Sequence, residues 1–209
     1  MIRIGWVAAA CLWVAACGAP TRQAFPRHYT LAAVTAGPAP DHAAPAARGT
    51  LRIARIETPA WLQGREMYYR LQYHHDQGIA AYARSDWAAP PATLLEPVLA
   101  AALVRGGGWR AVVGPATPGQ AACTLQIRLN DFSQVFSSPA ASAGVLDATA
   151  TLVANASTQI IAQTGFHLRV AAPSADAAGG AKALNRAAQQ FTAHLQAWLA
   201  RVKPCPAQR

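Results

Sequence analysis

The segment CTLQIRLN, residues 123–130, constrains the fold more than any other stretch of the chain. Cys123, Leu125, Ile127 and Leu129 alternate with Thr124, Gln126, Arg128 and Asn130. Successive side chains on a β-strand point to opposite faces, so this period of two describes a strand with one buried face and one wet face. The chain must therefore build a sheet that leaves one face open to solvent, as antiparallel sheets commonly do. GVLDATATLVAN and STQIIAQTGFHLRV follow directly. The three segments predict consecutive strands in an antiparallel meander.

Two other segments carry a helical period. PPATLLEPVLAAALVRGGGW predicts a helix with Leu95, Val98, Leu99, Ala102 and Leu103 on its apolar face, stopped by Gly106, Gly107 and Gly108. Its start is either a capping box from Thr93 to Glu96 or the Pro90–Pro91 pair, since proline suits the first helical position. Pro97 removes one backbone bond wherever it falls. Residues 181–203, AKALNRAAQQFTAHLQAWLARVK, predict a second helix with Leu184, Ala188, Phe191, Leu195, Trp198 and Val202 along one seam. Its natural use is packing on the sheet; a subunit contact is the alternative.

The rest of the chain supplies strands. RHYTL, residues 27–31, reads as a short first strand, and GTLRIARIETP as a second. Residues 65–87 read as a hairpin turning at Asp76-Gln77-Gly78, with Tyr68 and Arg70 on one face of its first arm and Met67, Tyr69, Leu71 and Tyr73 on the other. WRAVVG adds a short strand. The order strands, helix, strands, helix predicts an α+β domain, a mostly antiparallel sheet with two long helices packed on one face.

The N-terminus sets the compartment. One charge at Arg3 precedes an apolar run of signal-peptide length, too short to span a bilayer comfortably. Val14-Ala15-Ala16-Cys17 then resembles a bacterial lipobox, in which the cysteine thiol takes a diacylglycerol. The expected organisation is a lipoprotein signal over residues 1–16, an acylated Cys17 with a tether to residue 26, and one domain over 27–209 with an Ala/Pro-rich linker at 36–48. An ordinary signal peptide with a chance cysteine is the alternative. Three acyl chains exceed what stable anchoring needs, and Gly18 in place of aspartate resembles the sorting pattern that passes a lipoprotein to the outer membrane. Cys123 and Cys205 remain in the mature chain, and an oxidising compartment makes their pairing the economical reading; one buried thiol and one free tail thiol is the alternative.

The formal net charge of +9 favours anionic partners. Nucleic acid is a poor one, because an exported chain does not meet it and no motif of that class is present; anionic lipid answers the charge better. The sequence holds no H-E-x-x-H, C-x-x-C, G-x-S-x-G or phosphate loop. His74-His75-Asp76 does not make a metal site by itself, since neighbours on a strand diverge. Asp131 and Asp147 lie in strand-like segments, and Asn155-Ala156-Ser157 matches a glycosylation sequon by pattern alone. No catalytic residue, metal or cofactor is expected.

The layout resembles the ABC-type transport auxiliary lipoprotein components, the PqiC-like family. The residues that carry the resemblance are Tyr29-Thr30-Leu31, Pro59-Ala60-Trp61-Leu62 and Trp87-Ala88-Ala89-Pro90, followed by the LNDF strand and the terminal helix. Their order along nearly the whole mature chain carries it; Pro91, Pro97 and the long Ala-rich tether depart from the pattern. The resemblance implies a non-enzymatic outer-membrane lipoprotein that faces the periplasm. It would work with an ABC ATPase, a permease and an MCE-type substrate-binding protein, in a system that moves lipids or other hydrophobic molecules between the two membranes. Trp61, Tyr68, Tyr69, Tyr73 and Trp87 then become candidates for a partner or lipid surface, with plain core packing the favoured alternative. A homo-oligomer is compatible with such a docking component. A lipoprotein for envelope assembly or structure is the second reading, and a secreted hydrolase with an unrecognised site the third.

Overall fold

The computed structural model describes residues 25–32, 48–74 and 78–205. Cys17, the signal, most of the predicted linker and His75-Asp76-Gln77 lie outside the described residues.

Among the described residues, eight strands and two α-helices form the domain. The strands are β1 (Arg27–Tyr29), β2 (Arg48–Ile53), β3 (Glu66–Leu71), β4 (Ala80–Trp87), β5 (Trp109–Val113), β6 (Cys123–Ser138), β7 (Ala141–Ala154) and β8 (Ile160–Ala171); the helices are α1 (Pro91–Arg105) and α2 (Ala177–Arg201). One eight-stranded sheet holds all the described strands. The predicted meander is present, with β6, β7 and β8 pairing antiparallel in turn. The predicted hairpin is present as β3 and β4.

The sheet is mixed, and this corrects the expectation of a mostly antiparallel one. β1 pairs β4 in parallel, β2 pairs both β5 and β6 in parallel, and β3 pairs β6 in parallel. β6 is the spine. Along one edge it meets β2 at Cys123–Leu125 and β3 at Ser133–Phe136, with a parallel bridge between Glu57 and Arg128 in the gap; β7 occupies its other edge. Hydrophobic period fixes the face a residue takes, not the direction of the neighbouring strand. The parallel pairs come from long crossovers, notably the α1 passage between β4 and β5.

Both helices pack on one face. Leu95, Leu99 and Leu103 of α1 and Leu184, Phe191 and Leu195 of α2 join Leu51, Ile53, Leu125, Ile127 and Leu129 in one core. Gln196 Nε2 of α2 donates to the Ala102 carbonyl of α1 at 2.7 Å. α1 starts at Pro91 with Pro90 before it and no side-chain cap. The Thr93–Glu96 capping box is not formed; Glu96 Oε1 instead accepts from the Ile56 backbone N–H at 3.1 Å. Pro97 falls inside the helix. Gly107 and Gly108, with φ of 66° and 81°, take the left-handed conformation that ends it.

α2 begins earlier than its apolar seam suggests. Asp176 is its N-cap, accepting from the Gly179 N–H at 2.7 Å. Gly144 on β7 lets the helix settle on the sheet, since a methyl there would stand 2.7 Å from the Leu184 nitrogen. The seam residues Leu184, Ala188, Phe191 and Leu195 are buried, and Leu199 takes the next buried place, while Trp198 is partly buried. Cys123 and Cys205 form a disulfide with their Cα atoms 6.0 Å apart. It ties the tail beyond α2 to the first residue of β6.

Candidate functional site

The aromatic residues singled out in the sequence do not form one surface. Trp87 has no exposed area; it packs on Phe132 at 5.2 Å between ring centroids and on Tyr29 at 6.4 Å. A residue without exposed area offers nothing to a partner, so Trp87 is removed from the candidate surface. Met67 is buried against α2, within reach of Gly180. Strand alternation therefore turns Tyr69 to the helix face and Tyr68 to the helix-free face.

Tyr69 lies beside Tyr82 at 4.7 Å and Phe136 at 6.0 Å. Tyr82 Oη donates to Gln134 Oε1 at 2.8 Å, and Gln134 Nε2 donates to Ser142 Oγ at 2.7 Å and to the Asp176 carbonyl at 3.1 Å. Gln134 is fully buried, and these bonds satisfy it. Burial first, and the neighbouring Tyr69 and Asp176 next, push the Tyr82 phenol well above its ordinary value. It stays a neutral donor. The cluster is structural, joining β4, β6, β7 and the start of α2.

On the helix-free face, Trp61 meets Tyr68 edge-on at 5.3 Å, and the Arg70 guanidinium stands 5.7 Å from the Trp61 ring centre. Burial, then the Glu66 carboxylate, raises the Tyr68 phenol. Arg70 also pairs with Asp131. Asp131 stands opposite Asp147 across β6 and β7, and His167 Nδ1 lies 3.2 Å from Asp147 Oδ2. Asn130 Nδ2 donates to Asp147 Oδ1 at 2.9 Å. The two strand carboxylates thus have separate partners on the wet face, Arg70 for Asp131, and His167 with Asn130 for Asp147. Beside them is an open cleft of about 390 Å³, lined among others by Arg55, Glu57, Gln126, Arg128, Thr149 and Gln163. This face offers paired donors and acceptors to a polar surface. Among the described residues, no group of three His, Cys, Asp or Glu side chains comes together.

A second concave region lies at the far end of the helices. Clefts of about 280 Å³ and 240 Å³ meet at Gly106 and Gln196, with Arg48 and Trp109 in the first and Arg105, Gln189 and Thr192 in the second. Sequence reasoning passed over this region. Arg48 falls at the end of the predicted linker, and the triple glycine reads only as a helix stop. The available signal was Arg105 directly before three glycines in a chain of high net charge.

Comparison with known proteins bears on the whole domain. Residues 29–196 match the family described as ABC-type transport auxiliary lipoprotein component. A crystal structure of a Xanthomonas campestris protein of the DUF330 family superposes with a TM-score of 0.69 at 21% identity, covering 82% of this chain and 93% of that one. A second crystal structure, of an uncharacterised protein, gives a TM-score of 0.64 at 19% identity, covering 84% and 99%. At these identities the likeness is one of fold. No curated protein matches the chain.

Proposed function

From the chain's membership of the ABC-type transport auxiliary lipoprotein component family, we propose that it is a non-enzymatic accessory lipoprotein, held in the outer membrane through Cys17 and facing the periplasm. In this reading residues 1–16 are removed, 17–26 tether the domain, and the folded part serves an ABC ATPase and permease through an MCE-type substrate-binding protein. The cargo is lipid or another hydrophobic molecule moving between the membranes.

The observation that carries the reading is the extent of the family match, which runs from β1 almost to the end of α2. It therefore concerns the whole domain and not one motif. Three features fit. Among the described residues no helix is long and apolar enough to cross a membrane, so the anchor in this reading is the acyl group on Cys17. The disulfide suits an oxidising compartment. The open sheet face and the clefts at the helix ends leave two surfaces for partners.

The test compares wild type with Cys17→Ser in cells fed a clickable palmitate analogue, followed by separation of inner and outer membranes. Label on the wild type in the outer membrane, lost in the variant, is the expected result. Crosslinking of the anchored protein to an MCE-type protein is expected next. An unlabelled wild type released as a soluble periplasmic protein overturns the anchor. Crosslinking to outer-membrane assembly machinery instead overturns the transport role.

A further inference from the structure

Arg52, Arg55, Arg70 and Arg128 stand on the helix-free side where β2, β3 and β6 meet, and two of them are already engaged. Arg52 donates to the carbonyls of Gly114, Thr117 and Gly119, and Arg70 pairs with Asp131. Arg55 and Arg128 are in no ion pair among the described residues. Both line the cleft of about 390 Å³, together with Glu57. Glu57 and Arg128 are bridge partners, so their side chains leave the backbone on the same side. One carboxylate beside two guanidiniums leaves the cleft with net positive charge.

A gap in the sheet makes the cleft. β2 pairs with β6 at Cys123–Leu125, and β3 joins β6 only from Ser133. Between them the chain swings out at Arg55 and returns at Glu57. The Ala54 N–H donates to the Leu125 carbonyl at 2.9 Å, and the Glu57 N–H to the Ile127 carbonyl at 3.0 Å. Three residues on this segment thus match two on β6, as in a bulge. The Ile127 N–H points to the same edge as its carbonyl, and no backbone acceptor among the described residues reaches it. Ile127 lines the cleft although its side chain belongs to the core, so what it presents there is main chain. Two guanidiniums beside an unpaired N–H make the donor set of an anion site.

The rest of the lining narrows the ligand. Thr149 and Thr151 add hydroxyls, and Gln163 Nε2 donates to Thr151 Oγ1 at 2.8 Å. A carboxylate has two oxygens and uses only part of these donors, whereas a phosphoryl group offers more. Glu57 suits a hydroxyl or ammonium attached to that group. The cleft is also larger than a bare ion requires.

We propose that this cleft binds a phosphoryl group carrying hydroxyl or amine substituents, as in a phospholipid headgroup or a soluble glycerophosphoester. Arg55, Arg128 and the Ile127 N–H hold the phosphoryl oxygens, and Glu57 accepts from the substituent. The lipid source rests on the transport reading above; the recognition chemistry does not.

The test uses the full acylated protein in phosphate-free maltoside micelles. The probes are glycerophosphoethanolamine, inorganic phosphate, and glycerol mixed with ethanolamine; binding is read by calorimetry and phosphorus NMR line width. Glycerophosphoethanolamine is expected to bind saturably and the phosphate-free mixture not to bind. Arg55→Gln and Arg128→Gln are each expected to weaken binding about fivefold or more, while Arg169→Gln on β8, outside the cleft, leaves it unchanged. Glu57→Gln is expected to cut the preference for glycerophosphoethanolamine over inorganic phosphate about threefold or more. All these positions are exposed, so the melting temperature is expected to hold. Absence of saturable binding, equal binding of the phosphate-free mixture, or an equal loss in Arg169→Gln overturns the proposal. Displacement by dihexanoyl phosphatidylethanolamine at about tenfold lower concentration than by the soluble ester supports a lipid headgroup site; displacement at equal concentration supports a site for the soluble ester. Binding intact in a protein that the Cys17 experiment finds unanchored removes the transport reading and leaves the cleft. Binding absent in a protein that still crosslinks to an MCE-type protein removes the cleft alone.

Discussion

Arg48 holds together segments that are about 150 residues apart in the chain. Its fork reaches three carbonyls at the end of α2, and its guanidinium lies 5.4 Å from the centre of the Trp109 ring. A planar fork suits three carbonyls and a ring face better than an ammonium does. Arg48→Ala is therefore expected to cost about 2–3 kcal/mol in chemical denaturation, and Arg48→Lys to restore less than half of that. A variant as stable as wild type would mean that the disulfide alone secures this end. Asp176 plays the matching role at the start of α2. The Gly179 N–H first, and the Ser174 hydroxyl next, hold its carboxyl below the ordinary aspartate value. A depressed folded-state pKa contributes stability above the unfolded value, about 4, which is lost as the pH falls through the folded value. Asp176→Ala is expected to cost about 1 kcal/mol at neutral pH. Asp176→Asn, which keeps the cap and loses the charge, is expected to cost less. The gap between wild type and Asp176→Asn should shrink below about pH 4; a gap that does not change with pH would assign the effect to the amide's different donor and acceptor pattern and not to charge.

At the scale of elements, what the sequence shows is which face each residue takes. The alternation in CTLQIRLN appears as buried Cys123, Leu125, Ile127 and Leu129 beside exposed Gln126, Arg128 and Asn130. The opposite faces assigned to Tyr68 and Tyr69 are the faces they occupy. The neighbour order was not legible, because β2 and β3 share one edge of β6 through contacts distant in sequence. The start of α2 was missed for a local reason, since Asp176 caps a turn containing two glycines that propensity alone assigns to a loop. The clefts at the helix ends were missed because their lining is gathered from β2, α1, β5 and α2, and no short motif carries it. Two expectations follow for how these elements are fixed. Gly144→Ala, forced against the α2 backbone, should cost about 1–3 kcal/mol, whereas Gly165→Ala on β8, where a methyl meets nothing within 4 Å, should cost little. Equal losses at both positions would mean that strand flexibility, and not the approach of the helix, sets the requirement. The disulfide spans 82 residues. In the chain-entropy account, Cys123→Ala/Cys205→Ala should cost about 4 kcal/mol, measured by urea unfolding under oxidising conditions.

The whole molecule has two different ends, and α2 runs between them. One end gathers β1, the turn between β6 and β7 and the α2 N-terminus, joined through Tyr82, Gln134, Ser142 and Asp176. The other gathers Arg48, Trp109, the disulfide and the clefts at the α1–α2 junction. With 25 residues in α2, a rise of 1.5 Å per residue separates them by about 37 Å. The nine residues from Cys17 to Phe25 span at most about 32 Å when fully extended. The proposed anchor at Cys17 holds the β1 end within about 32 Å of the bilayer; an upright domain then carries the opposite end away from it. This orientation is testable in nanodiscs carrying an acceptor lipid dye, with a donor placed by non-natural amino acid at Ala140 in one protein and at Val104 in another. Energy transfer should be strong from Ala140 and several-fold weaker from Val104, and lengthening the tether with a Gly/Ser insert after residue 20 should bring the two signals together. Equal transfer in the unmodified protein would show that the domain lies along the membrane. Both ends would then stand at the same height, and the open face of β6–β8 would become the side from which a partner approaches.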